Sequence, residues 1–139
     1  SRGLGDVYKR QILGICLGMQ LLATYGVEGG RAEGLGLIPG KVTPFNTDSG
    51  LRIPHMGFNE VSYIEQSLLF NSIPERSDFY FVHSYHFVLD NPGNLIGQST
   101  YGMPFTAAVQ QNNVMGTQFH PEKSQGQGLR LLYNFSRLL

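Results

Sequence analysis

Ile12-Leu13-Gly14-Ile15-Cys16-Leu17-Gly18-Met19-Gln20-Leu21-Leu22 begins as a short apolar run and passes, with no turn residues between, into helical periodicity. Ile12 to Ile15 predict a buried strand, and Leu17 to Tyr25 predict a helix closed by Gly26. Cys16 therefore falls on the turn between them. The pattern Gly14-Ile15-Cys16-Leu17-Gly18 has the form Gly-x-Cys-x-Gly, and a sharp strand-to-helix turn calls for small residues on both sides so that a nucleophile stands clear of the backbone. The N–H groups at the helix start would face the turn, favouring a thiolate and the oxyanion formed when a carbonyl is attacked. The Leu17 N–H is then the natural oxyanion donor. Taken alone, a cysteine beside an apolar strand reads better as a small core hydrophobe, and the two flanking glycines reverse that only in part.

The second half of the argument lies far downstream, in Gln118-Phe119-His120-Pro121-Glu122. Pro121 must end the strand that precedes it, which leaves His120 at a strand's C-terminal edge. Open α/β sheets place their ligand crevices at the carboxyl ends of strands, so Cys16 and His120 are expected to converge at one rim. Glu122, two residues on, can hydrogen-bond the imidazole and set its tautomer, completing a Cys-His-Glu relay. Singly, His120 reads as a strand-end histidine and Glu122 as a solvated charge. Together with Cys16 they point to nucleophilic catalysis.

Between these motifs, apolar patches at Leu35 to Ile38 and Val61 to Tyr63 are broken by Gly, Pro and Asn, predicting short strands with loops, and Ser67 to Phe70 predict a brief helix. Phe79 to Val82 and Phe87 to Leu89 read as strands flanking His83-Ser84-Tyr85-His86. Asp90 to Asn94 form a turn before a strand at Leu95-Ile96. Phe105 to Val109, Gln110 to Asn113 and Val114 to Phe119 read as strand, turn, strand. Leu129, Leu132, Tyr133, Phe135, Leu138 and Leu139 recur at helical spacing. The expected class is α/β, a mixed sheet with flanking helices.

Ten Lys plus Arg balance ten Asp plus Glu in 139 residues. With no run of one sign, the chain has no electrostatic footprint for nucleic acid or an anionic membrane. The single cysteine allows no internal disulfide, and no apolar run is long enough to span a bilayer. A cytoplasmic location is expected. His55, His83 and His86 lack metal-ligand spacing as a set, so neither a metal nor another cofactor is expected. The polar, aperiodic start reads as a junction-like leader over residues 1–11, ahead of a catalytic portion over 12–139.

The two motifs together resemble the class I (triad) glutamine amidotransferases. Five ordered segments are similar to the glutaminase subunits of imidazole glycerol phosphate synthases: Gly14 to Leu22, Gly34-Leu35-Gly36-Leu37-Ile38-Pro39-Gly40, Pro54-His55-Met56-Gly57, Tyr80-Phe81-Val82-His83-Ser84-Tyr85 and Gly116 to Ser124. The resemblance implies that Cys16 attacks the side-chain amide of L-glutamine, that His120 passes a proton to the departing ammonia and that Glu122 orients His120. It further implies that Gln20 and Glu28 hold the amino-acid end of the substrate and that Ser84 and Tyr85 line the pocket beside Leu17. Ammonia would pass to a (β/α)8 barrel cyclase subunit in a heterodimer, serving histidine biosynthesis, with Pro54, His55, Met56, Gly57, Phe58, Asn59 and Lys123 facing that partner.

Two departures stand out. Phe58 replaces the Trp usual after Pro-His-Met-Gly, which favours as an alternative a sister glutaminase feeding a sugar-amidating enzyme of surface polysaccharide synthesis. The family also places strands and a Gly-rich oxyanion loop ahead of the nucleophile, and the sequence holds neither. The expected fold is thus a flavodoxin-like amidotransferase fold lacking its first strands, poorly stable or inactive alone because a sheet edge is exposed. Further alternatives are a thiol hydrolase on the same fold, such as a γ-glutamyl hydrolase, and a non-catalytic interaction domain.

Overall fold

The computed structural model describes residues 10–46 and 50–139; the leader expected over residues 1–11 lies mostly outside them. Two sheets carry the architecture. The larger contains β1 (Ile12–Ile15), β10 (Val114–Thr117), β9 (Pro104–Gln111), β8 (Leu95–Thr100), β5 (His55–Tyr63) and β6 (Ser77–His83), in that spatial order. The smaller is ordered β3 (Ala32–Glu33), β2 (Tyr25–Gly26), β4 (Gly40–Pro44), β7 (Tyr85–Leu89). The sheets are mixed, as expected: β1 runs parallel to β10 and β2 to β4, while the other pairs are antiparallel. Among the described residues only α1 (Leu17–Leu21) and α2 (Gln125–Ser136) are α-helical, and no helix is long and apolar enough to cross a membrane.

The helix after Cys16 is shorter than its periodicity predicts, and it stops for a tertiary reason. The 34–38 segment, expected to be a strand, instead wraps the helix end: the N–H groups of Leu35, Gly36 and Ile38 donate to the carbonyls of Leu21, Ala23 and Leu22 at 2.8–3.0 Å. These are the carbonyls a helix C-terminus leaves unsatisfied. Gly34 permits the approach, since an added Cβ would overlap the Ala23 carbonyl oxygen. Tyr25 is then free to pair with Glu33 on one side and Lys41 on the other.

The core divides in two. Met19, Leu22 and Ala23 of the α1 region pack with Val42, Phe87, Val109 and Val114. On the other side of the large sheet an aromatic cluster built on Phe70, Phe79, Phe81, Phe105 and Phe119 receives Leu131 of α2. The inward face of α2 is set by Gly128, Leu131 and Asn134, whereas Leu129 and Tyr133, expected to mark its apolar face, are exposed. Asn134 is buried because its side-chain amide donates to the carbonyls of Leu69 and Asn71, closing the 3-10 turn Leu68–Phe70.

Three histidines also lie in the interior. Burial holds the imidazoles of His55 and His83 down at about 4, against an ordinary 6.5, and lowers His86 as well. The unfolded chain therefore binds protons more readily than the folded one below pH 6.5. This contribution to stability is complete above about pH 6.5 and is lost as pH falls towards 4. A shift of that size on one histidine corresponds to about 3 kcal/mol. Urea midpoints of the full-length protein should thus fall more steeply between pH 6.5 and 5 than those of a His83→Asn variant; parallel curves would contradict the assignment.

Candidate active site

Cys16 leaves the C-terminal end of β1 with φ 54° and ψ −108°, a conformation that costs an L-residue energy and stands the side chain off the turn. Its N–H donates to the Thr117 carbonyl at 2.7 Å, which ties the turn to the end of β10. Gly14 is required here: a Cβ would meet the Gly18 carbonyl oxygen at 2.6 Å. Gly18 is not required in the same way, because a Cβ there would meet nothing within 4 Å. The expectation of a small residue on both sides thus holds sterically on one side only.

Burial pushes the Cys16 thiol above its ordinary value, and the Leu17 N–H and the Gln118 side chain pull against it without reversing it. The charge of Glu122 adds to the rise and that of Lys123 opposes it. The balance runs against the thiolate that the helix start was expected to favour, so a neighbouring base would aid ionisation. The sulfur lies 3.8 Å from the Val82 carbonyl and accepts from Gln118 Nε2 at 3.7 Å; among the described residues it has no hydrogen bond to His120.

Parallel pairing of Ile15 with Thr117 sends β1 and β10 out of the sheet at the same end, so Cys16 and the Gln118–His120 segment emerge side by side. His120 is then anchored on β6 by an isolated bridge, its N–H donating to the Tyr80 carbonyl at 2.9 Å. Its Nδ1 lies 2.8 Å from Glu122 Oε2. A carboxylate only accepts, so Nδ1 carries the proton and Nε2 is left as the basic nitrogen. Pro121–Lys123 turn as a 3-10 helix, which reverses the chain so that Glu122 folds back on His120. Ser124, fully buried, locks this turn: its hydroxyl donates to the His120 carbonyl at 2.6 Å and accepts from the Tyr80 N–H at 2.9 Å.

Leu17, Gln20 and Glu28 line one groove of about 240 Å³ together with Leu21, Val27 and Gly34. Ser84 and Tyr85 enter differently. Ser84 is the break between β6 and β7, and Tyr85 contributes its carbonyl oxygen, which accepts from Gln20 Nε2 at 3.3 Å. The same Gln20 amide donates to Gln118 Oε1 at 3.1 Å. Gln118, with no solvent exposure, therefore joins the groove to the sulfur. Sequence reasoning gave no role to Gln118 or Ser124; the only signal was an amide two residues before the histidine and a hydroxyl four residues after it.

Of the residues expected to face a partner, Met56 and Phe58 are 61% and 48% exposed, and Phe58 meets the Tyr80 ring edge-on at 5.5 Å. Asn59 and Pro54 are partly exposed, Gly57 takes a positive φ of 123°, and Lys123 is exposed. His55 differs from its neighbours: strand alternation turns it inward, where it is 4% exposed and pairs with His83.

A cysteine on a positive-φ turn at a helix start, with a histidine held by a carboxylate on the turn beyond the neighbouring parallel strand, has the form of a triad-type thiol site. The chain belongs to the class I glutamine amidotransferase family, whose model, "Glutamine amidotransferase class-I", matches residues 6–138. It is 51% identical over 132 residues to imidazole glycerol phosphate synthase subunit HisH 1 of Campylobacter jejuni, covering 95% of this chain and 65% of that protein. To the HisH subunit of the same synthase in Moorella thermoacetica it is 45% identical over 128 residues, covering 92% and 60%. The chain thus spans less than two thirds of the length of these curated relatives. Among solved structures, one of a glutamine amidotransferase aligns with TM-score 0.64 at 21% identity over 92% of this chain and 60% of that one, a likeness of fold.

Proposed function

We propose that the chain is the catalytic portion of a glutaminase that hydrolyses L-glutamine to glutamate and ammonia. The observation that carries this reading is the placement of strained Cys16 and the His120–Glu122 pair at the same end of the parallel β1–β10 pair. Glutamine enters the groove lined by Leu17, Gln20 and Glu28. The thiol proton passes to His120 Nε2 as the sulfur bonds to the amide carbon. The resulting oxyanion accepts from the Leu17 N–H. His120 returns the proton to the amide nitrogen, the C–N bond breaks and ammonia leaves behind a glutamyl thioester. Water, deprotonated by the same imidazole, cleaves the thioester to glutamate and restores the thiol.

The names of the curated relatives favour an imidazole glycerol phosphate synthase as the assembly that uses the ammonia; the acceptor we propose is a (β/α)8 barrel cyclase, docked as a heterodimer on the Met56–Phe58 face and Lys123. Phe58 keeps an exposed aromatic where the family has Trp, so the anchor changes size rather than kind. The names of the relatives, not Phe58, support histidine biosynthesis over sugar amidation. A cytoplasmic location suits an active-site thiol that must stay reduced.

A glutamine-analogue diazo-ketone added to the full-length protein tests the assignment. Mass spectrometry should find one adduct per chain, on the peptide holding Cys16 and blocked by excess glutamine; an adduct elsewhere counts against it.

A further inference from the structure

A hydrogen-bond relay runs through the interior from β5 to the glutamine groove, and the triad does not use it. His83 Nδ1 lies 2.8 Å from the Tyr85 carbonyl oxygen, which only accepts, so this nitrogen carries the proton. On a neutral ring His83 Nε2 is then an acceptor, and His55 Nδ1, 2.9 Å away, donates to it. His55 Nε2 accepts in turn from the Asn59 side-chain amide at 3.3 Å, and that amide is anchored on the Thr100 carbonyl at 2.8 Å. Burial keeps both rings neutral near pH 7, which preserves this polarity. From Asn59 to the Tyr85 oxygen, every proton points the same way.

The Tyr85 oxygen is the junction. It receives His83 from the interior and Gln20 from the groove, and Gln20 passes the connection to Gln118 and so to the Cys16 sulfur. We propose that His55 and His83 are positioning residues of the glutamine site, fixing the Tyr85 carbonyl and through it the Gln20 amide that meets the amino-acid end of the substrate. The inference rests on the function proposed above. It also gives buried His55 a role that its sequence position beside the exposed Met56–Phe58 face does not suggest. Asn59, at the other end of the relay, lies on the strand carrying that face.

Ring packing and hydrogen bonding are separable at His55. Its ring stacks on Tyr101 with centroids 4.2 Å apart and on Phe81 at 4.9 Å. A phenylalanine keeps that packing and removes the donor, whereas a glutamine offers both a donor and an acceptor. In the full-length protein assayed with its ammonia acceptor, His55→Phe should raise KM for glutamine about fivefold to tenfold, the worth of one hydrogen bond, with kcat within about twofold. His55→Gln should restore KM to within about twofold of the wild type. An unchanged KM in His55→Phe, or equal impairment in the two variants, overturns the proposal. Long-range 15N–1H correlation spectra of the unliganded wild type give a readout free of catalysis: both rings should be in the Nδ1–H tautomer, and an Nε2–H form of His83 overturns the relay. A wild-type protein that does not hydrolyse glutamine sinks the function proposed above, whatever the tautomers.

Discussion

Cys16→Ala in the full-length protein should abolish glutamine hydrolysis, lowering kcat by about 10⁴-fold or more, while synthesis driven by added ammonia stays within about twofold of the wild type. The first expectation follows because no other group at this site can form the thioester: it is the only cysteine in the chain, and His120 and Glu122 are occupied with each other. The second follows because the substitution is small and local. Cys16 is only partly buried and its sulfur makes two long contacts, to Val82 and Gln118. Alanine removes them without a clash, and the positive φ is met equally by either side chain. The face assigned to the partner lies on other elements, β5 and the Pro121–Lys123 turn. Parallel assays with glutamine and with ammonium salts as nitrogen donor check both halves. Residual glutamine-dependent turnover above 1% of wild type, about the level a background thiol would not reach, would remove Cys16 from the mechanism.

The second large effect is expected at a residue that touches no substrate. Gly128, in the first half of α2, packs directly on the turn that carries the triad's other members. A Cβ there would overlap the Pro121 carbonyl oxygen and approach Ser124 Cβ to 2.8 Å. Neither neighbour can swing aside, since one is backbone and the other belongs to the buried serine that holds His120 and Tyr80 together. Alanine would normally stabilise a helix by about 1 kcal/mol relative to glycine. Gly128→Ala should nevertheless destabilise the protein by about 1–3 kcal/mol, the range for overpacking a tight contact. Displacement of His120 should also cost at least about tenfold in kcat, because positioning errors near 1 Å are expensive for proton transfer. Gly126, whose added Cβ meets nothing within 4 Å, is the matched control: Gly126→Ala should be neutral or stabilising. Urea denaturation and glutaminase assays on the two variants decide the matter, and equal behaviour would show that α2 does not hold the turn.

Much of this site was readable from local chemistry. Gly14 and Cys16 announce a strand-to-helix turn because only a glycine admits the close approach to Gly18; β10, expected to run to Phe119, ends at Thr117, and His120 is held beyond it by its bridge to Tyr80. Two strands ending in reactive side chains suggested a shared rim, and the parallel β1–β10 pairing supplies one. The brief helix at Leu68–Phe70 and the strand at β7 follow from equally local patterns.

What sequence alone determined, then, is the turns that present Cys16 and Glu122, since turn chemistry depends on neighbours along the chain. What only the tertiary structure decided is everything that depends on distant partners. The α1 helix stops at Leu21 because a loop beginning at Gly34 reaches back to take its carbonyls, and β4 forms because Tyr25 and β7 flank it. His55 turns inward because its ring finds His83 and Tyr101. The Cys16 thiol is raised rather than lowered because the fold withdraws it from water further than its helix N–H and the Gln118 amide can offset. Burial is a property of the assembled chain, and no short window of residues encodes it.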